Sequence, residues 1–243
     1  FTKNDHLGIY QYDGTQNPLC SASITYTNIA DVYKVTKDKE NLTAVSIGSK
    51  SIGVAYKLKI YTNLQDPNNP IAGTLAIEQE ETIQNVGMNY VQLNKEISLQ
   101  NGTYYAIVIE PRYGQQLNIF ADQTNTNFLD VQYQCDYSNE YCMLKNGNNW
   151  IKQGEGNNAL TYRIKGITNK YTLNKTSMNL AVGNSEQLIA SRSGGSWRST
   201  NTSIATVDTN GNVKGVGHGK TTITYTVNGI EFSCDVEVTD NNP

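Results

Sequence analysis

Apolar and polar residues alternate through most of this chain, and a period of two is the mark of half-buried β-strands. Val54, Tyr56, Leu58 and Ile60 fall on one side of such a run. Residues 160–167 alternate in the same way, and residues 42–48 form another candidate strand. Residues 104–109 are almost continuously apolar instead, as a central strand covered on both faces would be. Turn-forming clusters separate these runs: Asp-Pro-Asn-Asn-Pro at 66–70, Gln-Asn-Gly at 100–102 and Asn-Gly-Asn-Asn at 146–149. No stretch carries a helical period, so the pattern predicts an all-β chain.

At 243 residues the chain has room for two domains. Charged residues make up only 17%, and the net charge is −3, so no basic field is available to draw nucleic acid. No run of about 18 apolar residues exists, and no membrane span is expected. The chain opens on Phe1 without an initiator Met or a signal peptide, and it reads as a portion of a longer protein. A monomer is expected.

The cysteines stand at 20, 135, 142 and 234. Cys135 and Cys142 bracket a short polar loop that could close as a hairpin, and a disulfide between them would suit a secreted protein. Cys234 shares the apolar side of its strand with Ile230, Phe232, Val236 and Val238, which predicts a buried thiol behaving as a small hydrophobe. Cys20 is left without an assignment.

From residue 170 onward short strands recur at regular spacing with turn signals between them, the pattern of a sandwich. Here the chain carries Trp197-Arg-Ser-Thr-Asn-Thr-Ser-Ile204, then Ile204-Ala-Thr-Val-Asp208, Gly211-Asn-Val213, the Gly-rich Gly215-Val-Gly-His-Gly219 and a Thr-rich strand from Thr221. This series resembles the bacterial immunoglobulin-like domain, group 2. The resemblance implies a stalk or spacer, with Trp197, Ile204 and Val207 in the core and Gly215, Gly217 and Gly219 at turns. His218 then lies in a solvated turn.

The first two-thirds would bury a core of their own. The distinctive block is Tyr61-Thr-Asn-Leu-Gln-Asp-Pro-Asn-Asn-Pro-Ile-Ala-Gly-Thr74, supported by Tyr10-Gln-Tyr-Asp-Gly14, Ile29-Ala-Asp-Val-Tyr33 and Gly87-Met-Asn-Tyr-Val-Gln-Leu93. These resemble the lectin-like domain that follows papain-like cysteine peptidases in anaerobic bacteria and archaea. The resemblance implies a module that guides a peptidase to glycan or cell-wall targets, in some members with a calcium ion. It carries no catalytic residue to this chain. The expected architecture is a jelly-roll-like β-sandwich over 1–168, similar to carbohydrate-binding modules, followed by a smaller immunoglobulin-like β-sandwich over 169–243.

Residue chemistry agrees with a binding role. Nucleophilic catalysis by Ser or Cys normally needs a nearby base, and only His6 and His218 exist. Glycoside hydrolysis needs two facing carboxylates, and acids are sparse in the first module. Sixteen tyrosines suit aromatic stacking on sugar faces, although Tyr equally suits half-buried strands. Tyr113 and Trp150, with Arg112, Gln115 and Asn148 nearby, are the candidate glycan contacts. Oxygen donors in turns suit calcium, which makes Asp13, Asp66 and Asp122 candidate ligands; each could as well cap its own turn.

The functional expectation is a non-catalytic, extracellular region of a secreted or cell-surface bacterial protein, with a cysteine peptidase as the expected parent. Its first module would bind glycan or cell-wall polymer and its second would act as a spacer. The alternatives are a purely structural spacer and an adhesin that recognises protein.

Overall fold

The computed structural model describes residues 7–10, 21–25, 27–123, 141–153, 160–227 and 229–240. Their strands are β1 (Leu7–Tyr10), β2 (Ser21–Thr25), β3 (Ile29–Lys34), β4 (Glu40–Ser49), β5 (Ala55–Leu64), β6 (Thr74–Thr82), β7 (Gly87–Leu99), β8 (Tyr104–Pro111), β9 (Gln116–Gln123) and β10 (Tyr141–Asn146). They continue with β11 (Asn149–Lys152), β12 (Leu160–Tyr162), β13 (Ile164–Lys170), β14 (Ser177–Ala181), β15 (Ser185–Gln187), β16 (Ser196–Ser199), β17 (Ala205–Val207), β18 (Asn212–Gly215), β19 (Gly219–Val227) and β20 (Ile230–Thr239). No helix occurs among the described residues. The chain divides into two compact units, Phe1–Lys170 and Tyr171–Pro243.

In the first unit, one sheet runs β11-β10-β3-β8-β5-β6, and the other joins β1, β2, β4, β7, β9, β12 and β13. Each sheet turns one side of its alternating strands inward. Tyr56, Leu58 and Ile60 of β5 and Tyr105, Ile107 and Ile109 of β8 meet Leu42, Val45 and Ile47 of β4, Val91 and Leu93 of β7 and Ile164 of β13 in a single core. That arrangement is a β-sandwich. The continuous apolar run of β8 has a direct cause. The strand is flanked by β3 and β5 and is covered on both faces, with Ala106 at 0% and Val108 at 1% exposure on the outer one.

Residues 160–167 read as one alternating strand, but the run changes partners at Arg163. Residues of β12 pair with β9, whereas β13 pairs with β4. Between them the Arg163 N–H donates to the Phe120 carbonyl (2.9 Å) and its own carbonyl accepts from the Gly48 N–H (2.8 Å). Alternation reports which side a residue faces and carries no signal of which strand lies beside it.

The edges of the two sheets come together at β6 and β7. There the Gln79 side chain, only 5% exposed, acts as a short surrogate strand. Its Nε2 donates to the Gln92 carbonyl (3.1 Å) and its Oε1 accepts from the Asn94 N–H (3.2 Å).

The second unit packs a sheet of order β14-β20-β19-β16 against one of order β15-β18-β17. Met178, Leu180, Leu188, Val213, Ile223, Cys234, Val236 and Val238 form the core between them, with Trp197, Ile204 and Val207 half-buried against it. Cys234 is fully buried, and burial pushes its thiol pKa up. Trp197 lies on β16, a strand that the sequence pattern did not suggest, with its ring 4.5 Å from that of Tyr225. Gly215 ends strand β18 rather than sitting in a turn, and a Cβ there would come within 2.9 Å of the Ala181 carbonyl. His218 is exposed.

The β17–β18 turn is fastened by Asp208. Its carboxylate accepts from Asn212 Nδ2 (2.8 Å) and from the N–H groups of Asn210 and Asn212 (both 2.9 Å). These bonds, the Asn212 side chain first, hold the Asp208 carboxyl below its ordinary pKa. A carboxylate with a depressed folded-state pKa adds stability above its unfolded pKa and loses it as pH falls through the folded value. The turn should therefore loosen only below about pH 4. A carboxyl-detected NMR titration checks this, and an Asp208 midpoint at or above that of a model peptide would refute it.

Candidate functional site

The outer face of the six-stranded sheet carries a second apolar cluster. Ala30 and Val32 of β3, Ala106 and Val108 of β8, Met143 of β10 and Leu64 of β5 form its floor, each 0% or 1% exposed. Tyr61 of β5, Tyr104 of β8, Tyr141 of β10 and Trp150 of β11 pack against that floor and stay half-buried. Mostly small floor residues leave room for large rings beside them. Tyr104 and Tyr141 meet edge to face, their centroids 6.1 Å apart at 75°. Lys152 Nζ stands 4.7 Å from the Tyr141 ring centre. The Trp150 indole N–H is buried and has no hydrogen-bond partner. Tyrosine and tryptophan rings on a sheet face offer apolar surface together with polar tips, the combination that stacks against the C–H face of a pyranose.

Among the sequence-derived candidates, Trp150 belongs to this strip and the others lie apart from it. Arg112 and Tyr113 occupy the turn between β8 and β9, where Gly114 takes a φ of 87°. Tyr113 is 92% exposed. Gln115 has a tying role: its Oε1 accepts from the Ala55 N–H at 2.6 Å, fastening the turn to the start of β5. Asn148 is exposed in the β10–β11 hairpin, after Gly147 with a φ of 59°. Ile29 pairs with both Leu144 and Ile109, so this hairpin and the Tyr113 turn share one end of the sheet. Only β3 separates their strands, about 10 Å between β10 and β8.

The same end carries two more apolar side chains on turns, Ile52 at 66% and Val86 at 62% exposure. Hydrogen bonds hold these turns in place. Gly53 N–H donates to the Ile83 carbonyl (2.8 Å), and Asn89 Oδ1 accepts from the N–H groups of Gln84 (3.0 Å) and Asn85 (2.9 Å).

Two of the candidate calcium ligands have protein partners. Asp66 Oδ1 accepts from both the N–H and the side-chain amide of Asn68 (2.9 Å each), which makes it a turn cap. Asp122 is the penultimate residue of β9, fully buried, with its Oδ1 2.6 Å from Arg163 Nη2. Asp13 lies outside the described residues. No group of three or more His, Cys, Asp or Glu side chains suited to a metal occurs among the described residues. Cys142 is buried on β10, while Cys135 and Cys20 lie outside the described residues, as does His6.

Tyr61, Tyr104 and Tyr141 escaped sequence reasoning. Tyr61 lies on the side of β5 opposite Tyr56, Leu58 and Ile60, and Tyr104 alternates with Tyr105 inside an unbroken apolar run. Their parity was legible; their convergence from separate strands was not.

Comparison with known proteins fits this picture. The family described as "Lectin like domain" matches residues 9–168, and the "Bacterial Ig-like domain (group 2)" matches residues 167–238. No curated protein matches the chain. Among solved structures, the clostridial cysteine protease Cwp84 after propeptide cleavage aligns with a TM-score of 0.56 at 16% identity, over 69% of this chain and 41% of that one. A structure of the cysteine protease and lectin-like domains of Cwp84, a surface layer associated protein of Clostridium difficile, aligns with a TM-score of 0.55 at 16% identity, over 69% of this chain and 37% of that one. The chain thus spans less than half the length of either, and at such identity the likeness speaks for the fold. With two-thirds of its length matched and a sandwich of the same kind, the chain belongs to the lectin-like domain family and carries a group 2 bacterial immunoglobulin-like domain after it.

Proposed function

We propose that this chain is a non-catalytic, extracellular accessory region of a secreted or cell-surface bacterial protein. Its first unit binds glycan or cell-wall polymer, and its second serves as a spacer. The observation that carries the reading is the strip of Tyr61, Tyr104, Tyr141 and Trp150 on the outer sheet face. Apolar rings left half-exposed beside an already sealed floor contribute less to folding than core rings do, and they are placed where a sugar chain could stack. The likeness to a surface layer associated cysteine protease supports a peptidase as the parent and the cell surface as the location.

Isothermal titration with purified cell-wall polysaccharides tests it. Trp150→Ala should weaken binding about tenfold, since a lost aromatic stack is worth about 1 kcal/mol or slightly more. Wild-type binding to none of the polysaccharides would sink the reading.

A second reading, adhesion to protein, is favoured by Ile52, Val86 and Tyr113 standing out at one end of the sandwich. Fixed, exposed apolar side chains of this kind mark interaction surfaces. An Ile52→Ser/Tyr113→Ser chain separates the two. Under the second reading it loses binding to walls that retain their proteins, and under the first it binds purified polysaccharide and intact walls as wild type does.

A further inference from the structure

We infer that the second unit holds a binding site for a single sugar ring, in a cleft between residues 187–195 and the β17–β18 turn. The inference is independent of the strip on the first unit and gives the spacer module a ligand of its own. The cleft encloses about 240 Å³, and the rings of Trp197 and Tyr225 form its base. Tyr225 is buried, whereas Trp197 remains half-buried beside it. Ile189 adds an exposed apolar side chain at the rim.

Hydrogen bonds set both walls in place. The Tyr225 hydroxyl donates to the Arg192 carbonyl (2.7 Å) and accepts from the Gly195 N–H (2.8 Å), which pins the loop to the base. Just before that loop, the Ile189 N–H donates to Asn174 Oδ1 (2.8 Å). On the other wall the Leu188 N–H donates to the Gly211 carbonyl (2.9 Å), and Gln187 Nε2 donates to the Asn210 carbonyl (3.3 Å). Gly211, at a φ of 85°, passes Trp197 so closely that a Cβ there would stand 3.0 Å from Cζ2. Walls fixed before a ligand arrives lose little affinity to ordering.

The lining selects the ligand. Its exposed polar groups are the Arg192 guanidinium, the Ser193 and Thr209 hydroxyls and the side-chain amides of Gln187 and Asn210. No carboxylate lines the cleft. Asn210 is bonded through its backbone, the N–H to Asp208 Oδ1 and the carbonyl to Gln187, so its side-chain amide is left to donate and accept. Ring surface below and neutral donors and acceptors around it match a pyranose, which has apolar C–H faces and a rim of hydroxyls. Sites for drug-sized ligands run from roughly 300 to 1,000 Å³, so this smaller cleft suits one ring rather than a run of peptide.

Fluorescence of the 243-residue chain tests this, because Trp150 and Trp197 are its two tryptophans. In a Trp150→Phe chain all indole emission comes from Trp197, and the strip of the first unit contributes no indole signal. Titration with maltotriose, mannotriose and chitotriose should change that emission saturably for at least one sugar. A Ser193→Ala/Asn210→Ala pair added to the same chain alters exposed side chains alone. It should weaken binding of that sugar about tenfold, the worth of two polar contacts.

No response of Trp197 to any of the three sugars would overturn the inference and leave the reading of the first unit untouched. Unchanged affinity in the Ser193→Ala/Asn210→Ala chain would overturn the placement in the cleft. A response to an oligoproline peptide and to none of the sugars would assign the cleft to protein and overturn the sugar.

Discussion

An Arg163→Met chain will unfold its first unit about 3 kcal/mol more easily than wild type, because the change removes a guanidinium from a fully buried carboxylate. Asp122 is fully buried, and the Arg163 guanidinium at 2.6 Å is its ion-pair partner; Arg163 itself is 19% exposed on its side chain, which places the cost at the low end for a buried pair. With an m-value of about 2 kcal/mol/M, the urea midpoint should fall by roughly 1.5 M. An Asp122→Leu/Arg163→Met chain should recover much of the loss, since a buried pair replaced at both ends by apolar groups is often neutral. A single Arg163→Met chain with an unchanged midpoint would show that the pair contributes nothing.

Gly166→Ala should be nearly as damaging, about 2–3 kcal/mol, and its cause is overpacking. A Cβ at Gly166 would lie 2.1 Å from Tyr105 Oη, 3.1 Å from Tyr105 Cζ and 3.0 Å from Leu42 Cδ1. None of these atoms can retreat easily. Tyr105 is fully buried, with its ring centre 5.5 Å from that of Tyr33, and Leu42 is also fully buried. Tyr105→Phe removes the closest atom, so the double variant should cost less than the sum of the two single ones by about 1 kcal/mol. Strict additivity in denaturant titrations would rule out the steric account.

These two residues also show where sequence reasoning stops. Sidedness was legible wherever one face is core: Val54, Tyr56, Leu58 and Ile60 are buried, and residues 105–109 are covered on both sides. Partnership was not legible. Arg163 looks like an ordinary outward-facing residue in an alternating run, yet it stands where the strand passes from β9 to β4 and reaches an acid 41 positions away. Asp122 looked like a turn acid because its neighbours are polar. The binding strip failed to appear for a related reason. Tyr33, Tyr56, Tyr105 and Tyr162 are core, Tyr61, Tyr104 and Tyr141 are not, and residue type alone does not separate the two sets. β16 was missed because Trp197 alternates there with Ser196 and Arg198, leaving too short an apolar pattern to register.

The Gln79 amide, bonded to the outer edge of β7, has a consequence for crowding. Open strand edges recruit other strands, and proteins held at high density meet that hazard constantly. One side-chain amide occupies the donor and acceptor at Asn94 and Gln92, where an incoming strand would begin to pair. An incoming strand therefore finds these two groups already bonded and cannot pair at this point of the edge.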